Sequence, residues 1–170
     1  MAKQFETERL VLRPMNTSDA AFLVKVMNAP KWLEFIGDRN VRTEEDGVNY
    51  INERVLTQYK RLGYSNFTVM LKDSGEKIGV CGLYDRPGLE GIDIGFAFLP
   101  EFEGKGYGFE AATVVKEAAF SEFGIKKLCA ITSKQNLASQ NLLVKIGIEP
   151  KGEIVLPGEE EAVLYYEALE

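Results

Sequence analysis

The amino-acid sequence predicts a single α/β domain, a sheet carrying helices on its faces. Three observations lead there. The 170-residue length suits one hydrophobic core. Apolar runs of period two alternate along the chain with runs of helical spacing. No internal repeat or low-complexity stretch interrupts that alternation.

The elements follow in order. Arg9 to Arg13 (RLVLR) alternates charged and apolar residues until Pro14 stops it, which predicts a first strand. Asn16, Thr17, Ser18 and Asp19 offer N-cap candidates for a helix through Ala21, Phe22, Leu23 and Val26 that ends before Pro30. Thr43, followed three residues on by Asp46, opens a long amphipathic helix from about Glu44 to Arg61, with Val48, Ile51, Val55, Leu56 and Tyr59 on its apolar side. Phe67 to Leu71 and Ile78 to Leu83 are strand-like and meet through the turn signal Asp73-Ser74-Gly75. Gly91 to Leu99 is a further strand closed by Pro100, with Ile92, Ile94, Phe96 and Phe98 on one face and Asp93, Gly95 and Ala97 on the other. Phe109 to Phe123 reads as a helix stopped by Gly124, Lys127 to Thr132 as a strand, and Asn136 to Ile146 as a short helix stopped by Gly147. Ile154 to Leu156 and Val163 to Ala168 close the chain as a hairpin.

Composition narrows the chemistry. The chain has no histidine, which removes the Ser-His-Asp and Cys-His nucleophile systems, the usual zinc ligand sets and the common near-neutral base. No metal is expected. Lys plus Arg is 20 against 26 for Asp plus Glu, a net charge of −6, which disfavours nucleic acid and anionic membrane and suits a cationic substrate. The longest runs free of charged residues, 62–71 and 135–144, are ten residues each, half of what a membrane helix needs. The first ten residues carry Lys3, Glu6, Glu8 and Arg9 without an apolar run, so a cytoplasmic protein is expected. Cys81 and Cys129 each sit in an apolar run, the pattern of buried thiols.

The segment Phe102-Glu103-Gly104-Lys105-Gly106-Tyr107-Gly108-Phe109-Glu110 lies between a strand and a helix. Its three glycines let main chain approach a ligand, and the helix start presents free N–H groups to an anion. The Rossmann fingerprint would need glycine where Phe109 stands, and no Walker sequence occurs. By spacing alone, a structural glycine turn and a phosphate cradle are equally good readings. Asn136 is in the first place an N-cap, with Ser139 in the first turn behind it.

The pattern Pro100-x-x-x-Gly104-Lys105-Gly106-Tyr107-Gly108-x-Glu110-Ala111 after Ile94-Gly95-Phe96, followed by Asn136-x-x-Ser139-x-x-Leu142-Leu143-x-Lys145-x-Gly147, resembles the acetyl-CoA-binding core of the GNAT N-acetyltransferases. Glu8-Arg9-Leu10-x-Leu12-Arg13 and Ile36-Gly37-Asp38 resemble the RimJ/RimL-type branch, and the likeness runs from about residue 6 to 167. It implies one acetyltransferase domain spanning 1–170, with a mixed, mostly antiparallel sheet whose strands at 91–99 and 127–132 run parallel and splay. It also implies that main chain near Phe98 and Leu99 pairs with the pantetheine arm of acetyl-CoA. The N–H groups of Gly104, Lys105, Gly106, Tyr107 and Gly108 would hold the pyrophosphate. Glu103 departs from the Gln or Arg that the family carries there. Asn136 is implied beside the pantetheine and Ser139 near the thioester sulfur. Many relatives place a Tyr general acid where this chain has Leu143, and Ser139 is the nearest hydroxyl substitute.

The implied reaction is direct attack of a neutral primary amine on the thioester. Asp93, on the small-residue face of its strand, is the candidate base, against the plainer reading of a carboxylate lining the pocket. Glu34, Asp38 and Glu90 are reserves. Trp32, Glu34, Phe35 and Ile36 are expected to wall the acceptor pocket, and Glu110 to face the helix dipole. The run Glu159-Glu160-Glu161 reads as a solvated hairpin tip. A non-catalytic acyl-CoA-binding module and a structural domain with an empty glycine loop are the rival readings. The acceptor is not legible, and either a monomer or a homodimer is compatible with the sequence.

Overall fold

The computed structural model describes residues 3–170. Eight strands form one sheet in the order β1-β2-β3-β4-β5-β6-β8-β7, with β1 at Phe5–Glu6, β2 at Leu10–Pro14, β3 at Asn66–Leu71 and β4 at Lys77–Tyr84. The others are β5 at Ile92–Phe98, β6 at Lys127–Thr132, β7 at Glu149–Ile154 and β8 at Val163–Leu169. Every neighbouring pair is antiparallel except β5 and β6. That one parallel ladder is short, joining Ile92 to Leu128 and Asp93 to Cys129. β5 then runs on to Phe98 and β6 to Thr132 without pairing with each other, so the sheet opens between them. The mixed sheet with a splayed parallel pair is as expected.

Helices cover both faces. On one, α5 (Tyr107–Ser121) packs Ala111, Ala112, Val115 and Ala119 onto Leu10, Leu12, Val69, Ile78, Leu83 and Ile94, with Leu143 of α6 (Leu137–Lys145) completing the cluster. On the other, α1 (Ala20–Met27) contributes Leu23 and Val26, and α3 (Glu44–Tyr50) with the turn behind it contributes Ile51 and Val55. Both cysteines lie fully buried as thiols, and burial pushes each up to about 12. Among the described residues no helix is long and apolar enough to cross a membrane.

Four local differences from the sequence expectations have physical causes. A second short helix, α2 (Pro30–Phe35), follows α1, because proline at a first helical position starts a helix as readily as it stops one. The long helix is interrupted by a π-helical segment, Ile51–Leu56, before continuing as α4 (Thr57–Leu62), which apolar spacing does not reveal. The penultimate strand lies at Glu149–Ile154 rather than Ile154–Leu156. As an edge strand it tolerates Pro150, and a bulge between Pro150 and Gly152 absorbs the mismatch against β8. The short strand β1, absent from the sequence expectations, pairs Phe5 with Leu12.

The side of the sheet that carries α1 is anchored by a buried charge. Asp19 is fully buried and receives Arg13 through both guanidinium nitrogens at 2.8 and 2.9 Å, Lys77 Nζ at 2.7 Å, Thr68 Oγ1 at 3.0 Å and the Asn16 N–H at 3.0 Å. Burial alone would push its carboxyl up, yet Arg13, Lys77 and Asn16 outweigh that and hold it well below the ordinary range. Its contribution to stability is therefore present at neutral pH and lost as pH falls through that depressed range. Asp19→Ala, which strands Arg13 and Lys77 without their partner, is expected to cost about 3–5 kcal/mol in denaturant unfolding at neutral pH. A loss below about 1 kcal/mol would show that the network is incidental.

Candidate active site

Two connected hollows open where β5 and β6 part. The narrower, of about 350 Å³, runs along the outer half of β5, past Phe96, Ala97 and Phe98, to the glycine loop at Glu103, Gly104, Gly106, Tyr107 and Gly108. The larger, of about 960 Å³, is floored by Tyr84, Asp93 and Gly95 and walled by the π segment and the strand end at Ile131 and Thr132. Trp32, Phe35, Ile36, Phe96, Asn136 and Ser139 line both, which marks the junction.

The narrow cleft is built to hold an extended ligand with an anionic end. Past Asp93 the β6-facing main-chain groups of β5 lie outside the ladder, so they are free for a strand-like arm. Gly104 and Gly106 have φ of +73° and +84°, the left-handed region that a side chain would strain. Gly106 itself caps α5 without any side-chain cap bond, leaving the first-turn N–H groups exposed to the cleft. A Cβ at Gly108 would come within 3.2 Å of Leu142 Cδ2 and 3.7 Å of a Phe98 ring atom. These features fit the pantetheine and pyrophosphate of a coenzyme A ester. A further orphan points the same way, since Trp32 Nε1 is buried without a hydrogen-bond partner.

The glycine loop is tied to the N-terminal segment rather than left loose. Glu110 accepts from Thr7 Oγ1, from the Arg9 N–H at 2.9 Å and from Arg9 Nε at 2.8 Å, while Arg9 Nη1 donates to the Lys105 carbonyl at 3.0 Å. The Arg9 guanidinium also lies 4.3 Å from the centre of the Tyr107 ring. The helix dipole gives Glu110 a favourable place, but these partners explain its presence better than the dipole alone.

Asp93 sits at the closed end of the splay, its side chain 3% exposed. Oδ2 accepts from Arg86 Nε at 2.9 Å, and Oδ1 has no hydrogen-bond partner. Burial pushes the carboxyl up to about 6, with the Arg86 guanidinium and, more weakly, the Ile131 amide pulling it back. The small residues beside it make room for a ring. A Cβ at Gly82 would lie 2.6 Å from Tyr84 Oη and one at Gly95 3.0 Å from the ring edge, so Tyr84 lies flat across both strands and donates to Asn66 Oδ1 at 2.5 Å.

Other expected site residues fall out as follows. Asn136 caps α6, its Oδ1 accepting from the Ser139 N–H at 3.2 Å, and both residues also line the junction. The Ser139 hydroxyl has no protein partner among the described residues. Trp32, Phe35 and Ile36 wall both hollows, and Glu34 only the larger. Leu99 is buried in the opposite core cluster with its N–H spent on the Ile78 carbonyl, so the free edge is at Phe96 to Phe98 instead. Lys105 offers only main chain, its ammonium lying 5.9 Å from the Phe102 ring centre. Asp38 pairs with Arg42 and Glu90 with Lys127, away from either hollow. Leu143 is buried. Lys31, Tyr50, Arg54, Tyr84 and Arg86 also line the hollows and were not singled out from sequence. Gly82 in an apolar strand was the one available signal, since it marks a close approach.

Residues 9–149 match the acetyltransferase (GNAT) domain family. The chain is 28% identical over 146 residues to YnaD of Bacillus subtilis strain 168, described as an uncharacterised N-acetyltransferase, covering 86% of this chain and 82% of that one. An acetyltransferase (GNAT family) structure from Bacillus anthracis superposes with a TM-score of 0.79 at 26% identity, over 98% of each chain. RimL, a ribosomal L7/L12 α-N-protein acetyltransferase solved with coenzyme A, shares the fold with a TM-score of 0.82 at 18% identity, again over 98% of each.

The state of Asp93 has a measurable consequence for stability. The folded chain binds its proton more tightly than the unfolded chain, so this group erodes stability as pH rises from about 4 to about 6. Relative to wild type, Asp93→Asn is expected to gain stability across that window, up to about 3 kcal/mol by pH 7. Urea unfolding of both proteins at several pH values checks it, and a pH-independent gap would refute the raised carboxyl.

Proposed function

Since the chain belongs to the GNAT acetyltransferase family, and so is an acetyl-CoA-dependent N-acetyltransferase, we propose that it acetylates a primary amine by direct attack, with Asp93 as base and Ser139 as acid. The observation that carries the reading is the meeting of the two hollows at Phe96, Asn136 and Ser139, with Asp93, whose buried Oδ1 is unpartnered, among the residues lining the larger one. Acetyl-CoA supplies an activated acetyl group whose carbonyl carbon accepts the amine as the thiolate leaves.

The chain's own residues do the rest. Main chain of Gly104 to Gly108 holds the phosphates, and the free edge of β5 from Phe96 to Phe98 aligns the arm. Asp93 lies three residues before Phe96, roughly 10 Å along the strand. The amine therefore passes its proton to the Asp93 carboxylate through a relay rather than directly. A carboxylate raised to about 6 is ionised at neutral pH yet basic enough to take that proton, and Arg86 keeps it from rising further. Ser139 Oγ donates hydrogen to the departing sulfur and regains it from solvent. N–H groups along the open strand edge stabilise charge on the carbonyl oxygen.

The acceptor enters from the side of Tyr50, Arg54 and the hairpin between β7 and β8, where Glu34, Glu53, Glu159 and Glu161 line the wall. The shared fold with RimL and the N-terminal motif favour the RimJ/RimL-type branch. A cytoplasmic location is consistent with the composition. A non-catalytic binding module is disfavoured by the buried carboxylate with a free oxygen, which binding alone does not require.

Thiol release in the presence of an amine panel tests the reading. With an amine that turns over, Asp93→Asn is expected to lower kcat by about 10²–10⁴-fold. Ser139→Ala should lower it by roughly tenfold, the size of one lost hydrogen bond. The acidic limb of the rate profile is expected near pH 6 and should move to higher pH in Arg86→Met, because the cation that favours the ionised carboxyl is gone. Full activity in both Asp93→Asn and Ser139→Ala would overturn these roles.

A further inference from the structure

We propose that Lys31 is a phosphate ligand of the acetyl-CoA cleft, carried by α2 and held on Glu103 until the phosphates arrive. This rests on the reading of the glycine loop as the pyrophosphate seat. Glu103 and Lys31 are the only acid and the only base that line the narrow cleft among the described residues. They form an ion pair with each other across its mouth, from the start of the loop to the first turn of α2.

An acid beside a pyrophosphate seat is an electrostatic liability, since like charges at close range repel. Neither neighbouring cation relieves it. Arg9 is held by Glu110 and the Lys105 carbonyl, and the Lys105 ammonium lies over the Phe102 ring. Lys31 neutralises Glu103 in the free protein, and its position is fixed by Trp32 and Phe35 of the same helix, which pack along the cleft. The pair is weak and solvent-exposed on the lysine side, which is over half exposed, so little holds the ammonium in place. A lysine is suited to exchange partners, being a point charge with three donors on a flexible stem. Charge-assisted bonds to phosphate oxygens, added to the N–H groups of the loop, give it the stronger site. Glu103 and the phosphates thus compete for one cation.

That competition predicts opposite signs for the two residues. Calorimetric titration with coenzyme A is expected to show weaker binding in Lys31→Ala, on the order of tenfold, with a shallower dependence on salt. Glu103→Gln should bind a few-fold tighter, roughly the gain from removing one like charge. The double variant should regain only the few-fold that Glu103→Gln contributes, because the bonds from Lys31 to phosphate stay lost; full recovery would mean that Lys31 merely neutralises Glu103, and would overturn the proposal. S-acetylpantetheine, which has the arm but no phosphate, should bind all four proteins alike. Weakening by both single variants would mean that the pair is a latch shaping the cleft, and would overturn the proposal, as would unchanged binding in Lys31→Ala. Failure of the folded wild type to bind coenzyme A would remove the pyrophosphate seat itself, a result distinguishable because all four proteins would then fail together.

Discussion

The early end of the β5–β6 ladder is the constraint on which the site depends. Two parallel strands that stayed paired to their ends would consume the main-chain groups between them and close the sheet. Here pairing stops at Asp93 and Cys129, with five residues of β5 and three of β6 still to run. The open wedge exposes a ready-made strand edge, and its closed end buries a carboxylate. The glycine loop stands at the outer end of β5 because Pro100 ends the strand and a short turn through Phe102 delivers the chain to α5. The two hollows thus acquire their relative places from one feature of the sheet.

The two buried aspartates show how the same side chain serves opposite ends. Asp19 is saturated by two cations, a hydroxyl and a main-chain N–H, and the result is a carboxylate fixed in its charged form. Asp93 has one cation and one oxygen left over. A buried polar atom without a partner costs stability, and this one persists in a residue that lines the larger hollow. The first is an anchor, and the second keeps an unmet hydrogen-bonding capacity.

The ends of the narrow cleft are set by ion pairs between distant segments. Glu110 brings the N-terminal Thr7 and Arg9 onto the glycine loop, and Lys31 reaches Glu103 from α2. The glycine loop is therefore a junction of three parts of the chain. Its torsions are local, but its charge is not.

Much of the architecture was legible because period and punctuation are local properties. The limits of β6 match the expected Lys127 to Thr132, and β5, α5 and α6 differ by one or two residues at their ends. The glycine pattern with Asn136 and Ser139 marked the narrow cleft, since positive φ and capping leave signatures in residue type. The π turn left none, because apolar spacing of four and five residues fits either helix. Arg86 on Asp93, Tyr84 across Gly82 and Gly95, and Lys31 on Glu103 were also invisible: each joins residues whose proximity is created by strand pairing or helix packing. The sequence alone determined the order of elements, the absence of histidine chemistry and the position of the glycine loop. Only the tertiary structure decided which carboxylate is buried, which oxygen is left free and which cation answers each acid, because burial and charge pairing belong to the assembled chain.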